Sequence, residues 1–164
     1  MIEYVKIPSE RIKVLLGKNH SSLKKIEEET GAIITLDDVV KIESNDPLML
    51  LKTKDIVTAI GRGFDVKKSL RLLEDECELR VISLYGETQK KRTVMKGRVI
   101  GNRGGSKGII ERETGASISI RGKTIAIIGT PNELVPAENA LSEILRGKTH
   151  GYAYNIMRRV KRKY

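Results

Sequence analysis

Two stretches of this 164-residue chain are one stretch written twice, and no other feature limits its fold so tightly. At an offset of 84 residues, with no gap, Gly17 to Ile34 aligns with Gly101 to Ile118, and nine of the 18 positions are identical. The chain therefore reads as two copies of one small unit, expected at 1–74 and 75–164. Each copy opens with an apolar strand-like segment (Ile2 to Ile7; Leu79 to Leu84) and an apolar patch at helical spacing (Ile12, Leu15, Leu16; Val94, Val99, Ile100). A Gly-containing loop follows, then a helix from about Ser21 to Thr30 or Ser106 to Thr114. Gly31 and Gly115 stand where a left-handed residue ends a helix. Alternating apolar residues predict two strands in each copy (Ile34, Leu36 and Val40, Ile42; Ile118, Ile120 and Ile125, Ile127), broken at Asp37-Asp38 and Arg121-Gly122-Lys123. Asp46-Pro47 and Pro131-Asn132 open longer helices reaching about Ile60 and Leu145. Both copies thus read β-α-α-β-β-α, an α+β class. A further helix, Asp65 to Leu73, precedes the junction, and Gly151 to Tyr164 reads as a basic terminal helix.

The copies differ in charge. Residues 1–84 carry 14 basic and 15 acidic side chains, whereas residues 85–164 carry 17 basic and only 6 acidic, so the net +10 lies wholly in the second half. A basic surface of that density attracts a polyanion and gains from counterion release. Nucleic acid is favoured over an anionic membrane surface, because no stretch pairs a basic face with bulky apolar residues, and no apolar run is long enough to span a bilayer. Aromatic residues are 4% of the chain and Trp is absent, which argues against base stacking on an aromatic sheet. One cysteine, Cys77, and two histidines, His20 and His150, neither form a disulfide nor build a usual zinc site, so no metal or cofactor is expected. The N-terminus has no secretory pattern, and a cytoplasmic location is the expectation.

The second Gly loop, Gly101-Asn102-Arg103-Gly104, joins two helical segments. Glycines there permit positive φ, and the unpaired N–H groups opening the next helix form a seat for an anion. Val99-Ile100-Gly101-x-x-Gly104, followed by Ile110, Glu113-Thr114-Gly115-Ala116 and Ile118, closely resembles the K-homology (KH) domain in its type I form. That resemblance implies two tandem type I KH domains, each a three-stranded antiparallel sheet with helices packed on one face. It also implies a loop that clamps the backbone of about four single-stranded nucleotides over an aliphatic groove. The RNA-binding residues so implied are Arg98, Ile100, Gly101, Asn102, Arg103, Gly104, Lys107, Ile109, Ile118, Arg121 and Lys123. Ile110 and Ile120 are further candidates for the groove and its floor. Secondary backbone contacts are expected from Lys90, Lys91, Lys96, Arg158, Arg159 and Arg162. The alternative for these cations is a solvated surface. Lys107 replaces the apolar residue general at its position, filled by Leu23 in the first copy.

The first copy departs from the pattern, with His20 where the second loop glycine belongs. Its side chain is expected to obstruct phosphate approach and to make positive φ costly. That copy is read as mainly structural or protein-binding, with RNA contact through Lys18, Lys24 or Lys25 as the lesser reading. Over the whole chain, Asp46-Pro47-Leu48 through Lys52, Ala59 to Phe64, Ser69 to Leu73 and Leu145 to Gly151 are similar to the partner-of-Nob-one (Dim-two) ribosome-assembly factors, in their archaeal form. This implies a non-enzymatic factor of small-subunit rRNA maturation that binds near the 3′ end of pre-16S rRNA. The partners implied are the 3′-end-processing endonuclease and a translation initiation factor, through the first copy. The competing readings are a protein-docking scaffold, another KH protein of RNA processing or degradation, and a nuclease, for which Glu111 and Glu113 show no partner in sequence.

Overall fold

The computed structural model describes residues 1–163; the expected end of the terminal helix at Tyr164 lies outside the described residues. The chain divides into two units, Met1–Asp75 and Glu76–Tyr164. In the first unit β1 (Ile2–Val5) leads to α1 (Ser9–Leu16), a 3₁₀ turn Lys18–His20, α2 (Ser21–Thr30), β2 (Ile33–Leu36), β3 (Val40–Glu43) and α3 (Pro47–Gly61). The short α4 (Val66–Ser69), capped by the Asp65 side chain, and a 3₁₀ turn Leu70–Leu73 follow, so the expected helix over 65–73 is one α-helical turn continued by a tighter one. The second unit repeats the order as β4 (Glu78–Ser83), α5 (Gln89–Ile100), a 3₁₀ turn Asn102–Gly104, α6 (Gly105–Thr114), β5 (Ser117–Arg121), β6 (Thr124–Gly129) and α7 (Pro131–Leu145), and adds α8 (His150–Lys161). Each sheet is antiparallel with the last strand in the middle, ordered β1-β3-β2 and β4-β6-β5. The type I KH arrangement expected from the sequence is thus the fold of both units.

Helix starts follow ordinary capping chemistry. The Asp46 carboxylate accepts from the Leu48 and Met49 amides with Pro47 in the first turn, Thr130 and Glu133 form a capping box before α7, and Thr149 caps α8. In the second unit Val99, Ile110, Ile118, Ile125, Ile127, Leu134, Leu141 and Ile144 form one core, which α8 joins through Ala153 and Met157. The terminal helix is therefore docked on its apolar side and presents its cations outward. Among the described residues, no helix is long and apolar enough to cross a membrane.

The residues shared by the two copies prove to be a helix-to-strand joint. Thr30 Oγ1 donates to the Ile26 carbonyl (2.7 Å) and accepts from the Ala32 amide, while Glu27 Oε2 accepts from the Ile34 amide at 3.0 Å. Thr114, Ile110, Ala116, Glu111 and Ile118 repeat all three bonds, at 2.6, 3.1 and 2.9 Å. Gly31 (φ 73°) and Gly115 (φ 85°) make the left-handed step between helix and strand. Identity at an offset of 84 thus records how α2 and α6 are fastened to their sheets.

Candidate nucleic-acid interface

Each loop begins with a glycine in a conformation nearly closed to other residues: Gly17 at φ 69°, ψ −179° and Gly101 at φ 74°, ψ 179°. Space is short there as well. A Cβ on Gly101 would lie 2.6 Å from both Cβ and N of Ser106, and one on Gly17 would lie 2.2 Å from Ser22 Oγ. The loop then carries two successive left-handed residues, Arg103 (φ 53°) and Gly104 (φ 75°) in the second unit, and Asn19 (φ 54°) and His20 (φ 60°) in the first. The first loop takes the same path despite His20, at the cost of about 1–2 kcal/mol that each left-handed non-glycine residue carries. What His20 changes is the surface, since it sets a side chain on the rim where Gly104, with nothing within 4 Å of a Cβ position, leaves the rim bare. Gly101 is therefore required by close packing, whereas Gly104 stands in open space.

Asn102 and Arg103 project from the rim as exposed side chains. Behind them, the first turn of α6 has no side-chain cap, so its amide ends face outward at the positive pole of the helix. The Gly105 amide is spent on the Asn102 carbonyl within the turn.

Lys107 Nζ lies 3.2 Å from Glu111 Oε1, and the other oxygen of Glu111 holds the Ile118 amide of β5. Lys107 therefore stands on the β5-facing side of α6. Lys96 Nζ donates to the Gly122 carbonyl (2.9 Å), linking α5 to the β5–β6 turn, and Ile100, one helical turn further along α5, is 39% exposed on that side. Lys123 in the same turn lies 5.1 Å from the centre of the Tyr85 ring. The structure thus sets Lys96 and Ile100 of α5 toward the turn that carries Arg121 and Lys123, and Lys107 on the side of α6 that Glu111 ties to β5. Ile109 and Ile120 are half-buried, and Ile110 is fully buried.

Other expected residues are placed differently. Ile118 is 2% exposed and belongs to the core, because its register opposite Ile127 turns it toward the helices. Arg98 does not head a free cationic track: it donates to the Ile144 carbonyl (2.7 Å) and the Lys148 carbonyl, closing the end of α7, and its own carbonyl accepts from His150 Nε2. Arg158 makes a two-pronged bond with Glu113, 2.8 Å on each arm, which fastens α8 to α6. The Arg158 guanidinium, chiefly by its hydrogen bond and then by its charge, holds the Glu113 carboxyl below its ordinary range. Lys91 pairs with Glu87 at 3.1 Å, whereas Lys90, Arg159 and Arg162 are exposed.

Ser106 was not singled out by its sequence position. It is only 5% exposed, and its Oγ is the one buried side-chain polar atom, among the described residues, without a hydrogen-bond partner. The signal available in sequence was the Gly-x₄-Ser spacing shared by Gly17/Ser22 and Gly101/Ser106. No group of three or more His, Cys, Asp or Glu side chains suited to a metal occurs among the described residues.

Comparison with known proteins follows the same division. Residues 77–162 match the eukaryotic-type KH domain (KH-domain type I), and residues 2–75 match the KH domain. A KH domain-containing protein of Methanocaldococcus jannaschii is 39% identical over 99% of this chain and 75% of its own length. The crystal structure of Dim2p from Pyrococcus horikoshii superposes with a TM-score of 0.89 at 42% identity, over 97% of this chain and 99% of that one. The structure of an a/eIF2alpha–aDim2p–rRNA complex from the same organism gives 0.92 at 41% identity, over 100% and 96%. Two KH units with matching topology, a shared helix-to-strand joint and full-length likeness to these proteins place the chain in the archaeal Dim2p family of tandem KH-domain proteins.

Proposed function

We propose that this protein binds single-stranded RNA at the groove of its second unit and acts as a small-subunit rRNA maturation factor near the 3′ end of pre-16S rRNA. The observation that carries this is the bare, left-handed rim at Arg103 and Gly104, set before an uncapped helix and beside Lys96, Lys107 and Lys123. A sugar-phosphate backbone can approach such a rim closely, and the amides and cations meet its charge. The similar Pyrococcus protein occurs in a complex with rRNA, which supports the choice of RNA. The role is one of binding, in the cytoplasm, without catalysis of its own.

The first unit is assigned to protein contact. Its charges nearly balance, and one face of its sheet exposes Ile2, Tyr4 and Ile33 across from Glu43 and Lys41. An initiation-factor subunit is one partner, supported by the a/eIF2alpha in that complex, and the 3′-end-processing endonuclease is a second.

The test is the double variant Asn102→Asp, Arg103→Asp, assayed by fluorescence anisotropy with RNA from the small-subunit 3′ end. Both side chains are exposed, so the fold should stand while affinity falls at least about tenfold. Unchanged affinity in a folded variant would remove the loop from the mechanism.

A further inference from the structure

Beside the loop, a hollow of about 510 Å³ opens between α5, the start of α6 and α8. Val94, Gly97, Asn102, Ser106, His150 and Tyr154 are among its walls. Three independent features point to a ligand there. Ser106, with its orphaned hydroxyl, lies in its wall, and a buried unpaired hydroxyl costs stability unless something completes it. α6, ten residues long, presents its uncapped end to the same space. Gly97 sits inside α5 with nothing within 4 Å of a Cβ position, although alanine would suit the helix better. A bare helical surface beside a hollow lets a ligand come close.

The chemistry is that of a nucleotide. The hollow is larger than an ion needs and of small-ligand size. The helix end and the surplus of cations in residues 85–164 select an anionic group, while the Tyr154 ring and the exposed Val94 side chain offer a flat apolar wall. Gly101 and Asn102 border both the loop and the hollow, so a strand leaving the loop enters it without a gap. Resting on the RNA-binding reading above, we infer that the hollow is a nucleotide subsite. It takes one nucleotide of the same strand, next to those at the loop, with its phosphate toward Ser106 Oγ and the α6 amides and its base against Tyr154.

The experiment measures binding of single-stranded RNA from the small-subunit rRNA 3′ end, shortened one nucleotide at a time from each end. Wild-type protein should lose about tenfold in affinity at one truncation step, when the subsite nucleotide is removed. Ser106→Ala and, separately, Val94→Glu should bind the full RNA about tenfold more weakly and no longer respond to that step. Ser106→Ala should leave the melting midpoint unchanged or raised, since no protein hydrogen bond is lost. If both variants match wild type on every RNA while Asn102→Asp, Arg103→Asp binds poorly, the subsite is refuted and the loop stands. If Ser106→Ala weakens every length by one factor, the serine shapes the loop and the subsite is again refuted. If the loop variant binds like wild type, the RNA-binding reading fails and this inference with it.

Discussion

Replacing Gly101 by alanine tests the claim that the two glycines of the second loop have different employments. At φ 74°, ψ 179° an alanine enters backbone space open essentially to glycine alone, at about 1–3 kcal/mol. Its Cβ would also stand 2.6 Å from Ser106 N and Cβ, neither of which is the far end of a flexible side chain. Relieving that overlap costs a further ~1–3 kcal/mol. The expected total is about 4 kcal/mol, a fall of roughly 20 °C in the melting midpoint of a unit this size. Gly104→Ala meets no neighbour within 4 Å and takes a conformation that His20 already adopts, so its cost should be about 1 kcal/mol. Circular-dichroism melting gives the comparison, and amide exchange along β6 reads the second unit by itself. RNA affinity should move the other way: Gly104→Ala stays folded yet binds less well, because its methyl group lies on the rim. Equal destabilisation by the two alanines would refute the close-approach argument, and full RNA affinity in Gly104→Ala would refute the access argument.

Further outcomes follow from the same contacts. Arg98→Met removes two bonds from a charged donor to carbonyls, so it should destabilise the second unit by about 2 kcal/mol and loosen α8, seen as faster exchange of the Ala153 and Met157 amides. Because Arg158 lowers the folded pKa of Glu113, their pair contributes fully above the ordinary glutamate range and is lost as pH falls through the lowered value. Acid should therefore loosen α8 in wild type, whereas Glu113→Gln shows the looser α8 already at neutral pH and little added change, with exchange of α8 amides as the readout. RNA affinity should decline with salt at a log–log slope of about −0.7 per phosphate neutralised, and Arg103→Gln should make that slope shallower by about one such step.

The two tandem units, their element order and the loop could be read in the sequence because their signals are local. Gly31 and Gly115 mark a left-handed step, Asp46-Pro47 and Pro131-Asn132 mark helix starts, and the duplication turns two weak patterns into one strong one. The employment of individual cations could not be read that way. Arg98 and Arg158 look like Lys123 in one dimension, and only the docking of α8 shows that their guanidinium groups are committed to carbonyls and to a carboxylate. Ser106 was hidden for a related reason: a serine in the first turn of a helix is ordinary until its surroundings show that nothing bonds its oxygen. At His20 the sequence shows that positive φ is costly but not that the turn takes it all the same, because its neighbours determine the backbone there.

The matching course of the two loops means that a change of ligand need not begin with a change of shape. The first copy carries the same backbone path as the second under a different side chain. Exchanging histidine for glycine at position 20 would uncover that path without rebuilding it, and retained duplicates of this kind offer a stock of preformed cradles from which new specificities can be drawn.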